Sequence, residues 1–421
     1  MKPYIEWTKE ELVAEKARLE QEFAEVKAKG LNLNISRGKP AAAQLDLTEG
    51  MLTVLSKNED TFAEDGTDCR NYGVLTGIPE ARKLIGDICE VPAKNVIVYG
   101  NASLTIMFDT VARSFLKGVA GCTPWNKLDK VKFLCPVPGY DRHFGVTEYF
   151  GVEMINVPMT PEGPDMDMVE KLVAEDDAIK GIWCVPKYSN PQGYTYSDET
   201  VRRFANLKPA AKDFRIFWDN AYIIHHLYDD RQDHLLNIIE ECEKAGNPDM
   251  VYEFVSTSKV SYPGAGIAAL ISSEANLKEA QEYMNFQIIG HDKLNQLRHV
   301  KFFQNLDGVM NQMKKHAEIL RPKFEAILQV MDQELSAWHR FLDKTERWIL
   351  HLLRCDGGMR KEDRCKGKRG RSYHDRRGRN VSISQRSAGF QHPYCTVLPD
   401  TGRAGNRRSG IRAECQTGQR G

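Results

Sequence analysis

A lysine that is to form a Schiff base needs a rigid seat and an amine that can lose its proton near neutral pH. Lys259 lies in a stretch suited to both. A β-branched and aromatic run, Val251 to Val255, reads as a buried strand, and Ser256-Thr257-Ser258-Lys259 follows it at once. A loop with Gly264 and Gly266 comes next. Partial burial and nearby positive charge would bring such an amine toward neutrality. A solvated loop lysine fits the same stretch, so other residues must decide.

Similar polar clusters follow other hydrophobic runs. Tyr140 and His143 stand in PGYDRH after Val131 to Val137, and Asn190 stands in SNPQG after Gly181 to Pro186. Asp219 and Tyr222 form Asp-x-x-Tyr after Arg215 to Trp218. Gly100-Asn101-Ala102-Ser103 joins a short strand, Asn95 to Tyr99, to the apolar helix Leu104 to Phe115. Such a junction offers free backbone N–H groups and a hydroxyl, which is how a phosphate is held. Singly, each cluster has a plain alternative: Tyr140 as core, Asn190-Pro191 as a turn, Asp219 as a helix cap. Together, each at a strand end, they describe one site.

The elements that must position these residues are strands alternating with helical stretches such as Met166 to Ala174 and Asp198 to Phe204. That order predicts an α/β fold with a mostly parallel sheet flanked by helices, and ligands gather beyond the carboxyl ends of such strands. Thr8 and Glu11 predict a capping box for an N-terminal helix. Leu31 to Leu47 reads as extended, with a turn at Gly38-Lys39-Pro40. Asn71 to Ile78 is a glycine-rich loop entering a helix with Pro79 in its first turn.

Composition sets the class. The 421 residues are 41% hydrophobic and 28% charged, as in a soluble globular protein of two or three domains. No apolar run approaches the roughly 20 residues of a membrane span. The start does not read as a secretion signal. Ten cysteines without a CxxC pair point to a reduced cytoplasm, and no metal is expected.

Tyr140, Asn190 to Gly193, Asp219 with Tyr222, and Ser256 to Lys259, in this order, resemble the pyridoxal-phosphate-dependent aminotransferases of fold type I, class I/II. The RGKP start and the NYGVLTG loop resemble the bacterial aspartate-aminotransferase-like subgroup, over about residues 5 to 337. The resemblance implies a large cofactor-binding domain over 49 to 300, a long helix over 301 to 337, and a small α+β domain to which residues 1 to 48 contribute. It implies that Lys259 carries pyridoxal 5'-phosphate and then moves the substrate α-proton. Asp219 would face the pyridine nitrogen, with His143 behind it, and Tyr140 would stack on the ring. Asn190 and Tyr222 would hydrogen-bond the phenolic oxygen. Asn101, Ala102, Ser103, Ser256 and Ser258 would hold the phosphate. Tyr72 would reach the phosphate of a second subunit, which implies a homodimer, and Gly38 would lie over the substrate carboxylate. The amino donor implied is aspartate or glutamate and the acceptor a 2-oxo acid. A non-catalytic regulator, or β-elimination or decarboxylation on the same fold, is the alternative. Relatives follow the lysine with Gly-x-Arg-x-Gly, whereas Gly264-Ala265-Gly266 lacks that phosphate-binding arginine.

The end of the chain departs further. Residues 338–421 carry 20 Lys+Arg against 8 Asp+Glu and no sustained periodicity. Such a tail suggests nucleic acid, but it also arises when a gene is read out of frame. Codons can be chosen for Trp338 to Trp348 and for Gln391 to Gly405 so that one and the same base shift turns both into strings like the family's C-terminal segments. A frameshift after about Ala337, disrupting the small domain, is therefore expected, and a nucleic-acid partner is not.

Overall fold

The fold is that of a computed structural model, which describes residues 7–32 and 39–335 and five strand segments of two to four residues beyond them. Helix α1 (Lys9–Ala28) starts at Thr8, whose hydroxyl accepts from the Glu11 amide while the Glu11 carboxylate accepts from the Thr8 amide. Helix α2 (Ala42–Asp46) replaces part of the extended segment expected over Leu31 to Leu47. The Ala41 N–H donates to Gln44 Oε1, and burial of Gln44 overrides the weak local signal. Residues 33–38, Gly38 among them, lie outside the described residues.

Helix α3 (Pro79–Cys89) does begin on Pro79, as the sequence predicts. The alternation then runs β1 (Val96–Val98), α4 (Ser103–Lys117), β2 (Lys132–Val137), α5 (Asp141–Tyr149), β3 (Glu153–Thr160), β4 (Gly163–Pro164) and α6 (Met166–Glu175). It continues through β5 (Ile179–Cys184), α7 (Asp198–Ala205), β6 (Arg215–Asp219), α8 (Ile238–Lys244), β7 (Val251–Ser256) and β8 (Ala268–Ile271). Helices α9 (Glu274–Gln287), α10 (Lys293–Phe303) and α11 (Leu306–Leu335) follow.

One eight-stranded sheet results, in the order β1-β8-β7-β6-β5-β2-β3-β4. Strands β7, β6, β5, β2 and β3 are parallel neighbours, so their carboxyl ends share one edge. β8 pairs antiparallel with β7 and β1, a reversal the sequence reading did not include. Alternate residues feed two cores. Ile216, Trp218, Val251 and Val255 pack on one face with α3, α6, α7 and α8; Phe217, Tyr252 and Phe254 pack on the other with α4 and α9. Gly181 on β5 makes room there, since a Cβ would stand 2.4 Å from the Phe133 ring. Beneath the sheet, Asp213 accepts from the Trp125 indole at 2.8 Å and pairs with Lys180 at 2.7 Å, both ions buried.

The chain divides into two compact units. One, Pro40–Pro322 with Thr345–Leu350, contains the sheet; the other gathers Met1–Lys39, Lys323–Lys344 and His351–Gly421. Among the described residues beyond α11 are the short strands β9 (Leu342–Asp343), β10 (His351–Arg354), β11 (Tyr373–His374), β12 (Asn380–Val381) and β13 (Tyr394–Val397). The rest of the stretch assigned to a frameshift lies outside the described residues.

Candidate active site

The clusters singled out in the sequence converge at the carboxyl edge of the sheet. Asp219 is the last residue of β6 and is buried. Its Oδ2 pairs with His143 Nε2 at 2.9 Å, while Oδ1 is buried without a hydrogen-bond partner among the described residues. His143, on α5, stacks on Trp183 of β5 with centroids 4.6 Å apart, and Tyr140 meets it edge-on at 5.1 Å. The Trp183 indole donates to Thr147 Oγ1, and that hydroxyl donates to the His143 carbonyl, so the ring behind Asp219 is fixed from two strands.

Lys259 follows β7, and its Nζ lies 4.7 Å from the centre of the Tyr222 ring. Burial pulls its pKa down, but Tyr222, Asp219 and Tyr140 together outweigh that and raise it above the ordinary lysine value. This corrects the expectation of an amine poised near neutrality by positive neighbours: here its neighbours are an aspartate and two phenols. Burial pushes the Tyr140 phenol up, against the opposing pull of Lys259.

The lysine turn is tied to the head of α4. Ser256 Oγ donates to Ser258 Oγ at 3.1 Å, Ser258 Oγ to the Asn101 carbonyl at 3.2 Å, and Asn101 Nδ2 to the Pro263 carbonyl at 3.3 Å. No side chain caps α4, whose N-cap is Ala102 and whose first residue is Ser103. Its leading amides are therefore open to an anion. Gly266 allows the loop to fold back, because a Cβ would meet Thr257 Oγ1 at 2.9 Å. Asn190 is half-buried in its loop beyond β5. Tyr72 is 82% exposed, so within one chain its ring lies largely in solvent.

Sequence reasoning missed α10, which braces the site. Lys293 Nζ donates to the Asn71 and Gly73 carbonyls at 2.6 and 3.0 Å, holding the loop that carries Tyr72. Gln296 Oε1 accepts from the Ile78 amide, and Asn295 Nδ2 donates to the Gly266 carbonyl. His299 Nδ1 donates to the Asn295 carbonyl at 2.7 Å, leaving the Nε2 lone pair to accept from the Ser261 hydroxyl at 2.8 Å, with Thr257 Oγ1 at 3.2 Å. Burial holds His299 down at about 4, which keeps it neutral in that role. The signal was a buried polar spacing, 293, 295, 296 and 299, inside an ordinary helical sequence.

A sequence profile described as aspartate amino-transferase matches residues 7–347. The chain belongs to that family. An aspartate aminotransferase of Corynebacterium glutamicum is 43% identical over 321 residues, 76% of this chain and 74% of that protein. A crystal structure of an aspartate transaminase from the same organism superposes with a TM-score of 0.80 at 40% identity, covering 84% of this chain and 83% of the other. The α-aminoadipate aminotransferase LysN of Thermus thermophilus, solved with N-(5'-phosphopyridoxyl)-L-leucine, shares the fold at a TM-score of 0.61 and 19% identity, with 80% of each chain covered.

This family member is a pyridoxal-phosphate-dependent aminotransferase with the type I fold. Its own residues fit that cofactor. The orphaned, buried Asp219 Oδ1 lacks a donor, which a protonated pyridine nitrogen is, and the uncapped α4 with Ser256 and Ser258 suits a phosphate. No helix among the described residues is long and apolar enough to cross a membrane.

Proposed function

We propose that this aminotransferase moves the amino group of an acidic amino acid, aspartate or glutamate, to a 2-oxo acid, as a cytoplasmic homodimer. The likeness to the Corynebacterium glutamicum aspartate aminotransferase supports the acidic donor. One observation carries the site assignment: the unpartnered Asp219 Oδ1 stands at the same strand edge as Lys259, whose neighbours include Asp219, Tyr222 and Tyr140.

Bound, pyridoxal phosphate supplies an electron sink for the pair left when the substrate Cα–H bond breaks. The residues divide the remaining work. Lys259 Nζ would hold the cofactor and would take the substrate α-proton. Asp219, oriented by His143, would keep a positive charge on the ring nitrogen, and Tyr140 would cover the ring. Asn190 and Tyr222 would donate to the phenolic oxygen. Asn101, Ala102, Ser103, Ser256 and Ser258 would hold the phosphate, joined by Tyr72 of a second copy.

A change of reading frame is proposed after about Ala337, although the profile match runs on to residue 347, so the arginine expected beyond it for the substrate α-carboxylate would be missing from the chain as written. Borohydride treatment of the cofactor-loaded protein, followed by peptide mapping, tests the lysine assignment. The label is expected on the peptide containing Lys259; a label on any other lysine refutes it.

A further inference from the structure

Behind the catalytic edge the large unit contains a cavity of about 400 Å³ that the proposed reaction does not use. That is the size range of small-molecule sites. Its walls come from the end of α3, the start of α11 and the loop leading into α8. Trp218 and Glu253 form its floor; they are register partners on β6 and β7. Period-two alternation turns these two away from the face to which their neighbours Phe217 and Phe254 belong, so the cavity lies on the other side of the sheet from the α4 core.

The floor and one wall carry polar groups with capacity to spare. Asn220 is 4% exposed; its Nδ2 donates to Glu253 Oε1 at 2.8 Å, and its Oδ1 is buried with no partner among the described residues. Glu253 is 3% exposed, and that amide is the one side-chain bond made to its carboxyl group among the described residues. Lys187 is 7% exposed and donates to the Ile223 carbonyl at 2.8 Å, which uses one of the three protons of an ammonium. Buried polar groups of this kind are ordinarily satisfied. Asp233 and Glu90 line the same cavity and act on Lys187 through space, while its remaining protons and the spare acceptors of Glu253 and Asn220 complement a molecule that carries both an acceptor and a donor.

We propose that this cavity is a second binding site, distinct from the Lys259 edge, for a small zwitterion of amino-acid size. Its carboxylate pairs with Lys187 and its ammonium with Glu253 and Asn220. The site is wired to the catalytic edge: Asn220 directly follows Asp219, and the Ile223 carbonyl held by Lys187 directly follows Tyr222.

The probes are γ-aminobutyrate, butylamine and butyrate, which share a four-carbon chain and differ in which charged ends they carry. Binding to the full-length, cofactor-loaded protein is measured by calorimetry. γ-Aminobutyrate is expected to bind saturably at one site per chain, and each single-charge analogue more weakly by roughly ten- to hundredfold, the worth of one charged hydrogen bond. Lys187→Met and Glu253→Gln should each weaken γ-aminobutyrate by a similar factor, whereas Asp219→Ala should leave it unchanged. That last arm separates this site from the catalytic one, so the proposal stands or falls independently of the transaminase assignment. Thermal melts identify a variant that does not fold, in which case the other variant and the analogue series decide. Absence of saturable binding, equal binding of butylamine, or unaltered binding in a folded Lys187→Met or Glu253→Gln protein overturns the proposal.

Discussion

Replacing Asp219 with alanine should leave the cofactor bound while slowing proton removal from the substrate. The carboxylate is 5% exposed, and His143 already occupies one of its oxygens, so Oδ1 is left to oppose a ring cation in a dry setting. Two unit charges ~4 Å apart at an effective dielectric of ~20 attract by about 4 kcal/mol. That corresponds to about three pKa units, enough to keep a ring nitrogen protonated at neutral pH. Losing it should cost up to about 1,000-fold in the rate of the half-reaction, with an amide at the same position falling between. The assay is a single turnover with L-aspartate or L-glutamate followed by visible absorbance. It is run, for both parent and variant, in a chain with one base restored near codon 338, the frame proposed to encode the small domain. A loss below about tenfold in Asp219→Ala would refute the charge argument.

The buried Lys180–Asp213 pair gives a stability test: Asp213→Ala should cost about 3–5 kcal/mol in a urea melt, since it strands the lysine and the Trp125 indole. Glu253 gives a pH test. Burial pushes its pKa up from an ordinary 4.5 to about 7, so between those values the unfolded chain is the more ionised and stability falls as pH rises, then levels off. Glu253→Gln removes this dependence and should gain about 2–3 kcal/mol on the parent between pH 5 and pH 7.5; parallel stability–pH curves would sink the idea. The tail gives the last test. The chain as written should turn over very slowly and be cut by protease beyond about Ala337, whereas restoring one base near codon 338 should give an active dimer. Full activity of the written chain, with a protease-resistant tail, would end the frameshift reading.

The amino-acid sequence by itself determined the local grammar of this protein. Runs such as Val251 to Val255 and Arg215 to Trp218 are too short and too β-branched or aromatic for helices, and the polar residues that break them had to fall at strand ends. Parallel order then placed Tyr140, Asn190, Asp219 and Lys259 on one edge without any side-chain detail. The Thr8–Glu11 cap and Pro79 were equally legible, because each acts within four residues of itself. What the tertiary structure decided depends on partners far away in the chain. β8 looks like any apolar strand, and only its pairing with β1 and β7 reverses it. The bracing by Lys293, Asn295 and His299 relies on carbonyls and hydroxyls that other loops deliver. The Lys259 amine is raised rather than lowered because packing sets Tyr222, Asp219 and Tyr140 around it, and their combined pull outweighs the cost of burial. The cavity above Glu253 is likewise absent from any local pattern: it exists only where the ends of two helices and a loop fail to close over two strands.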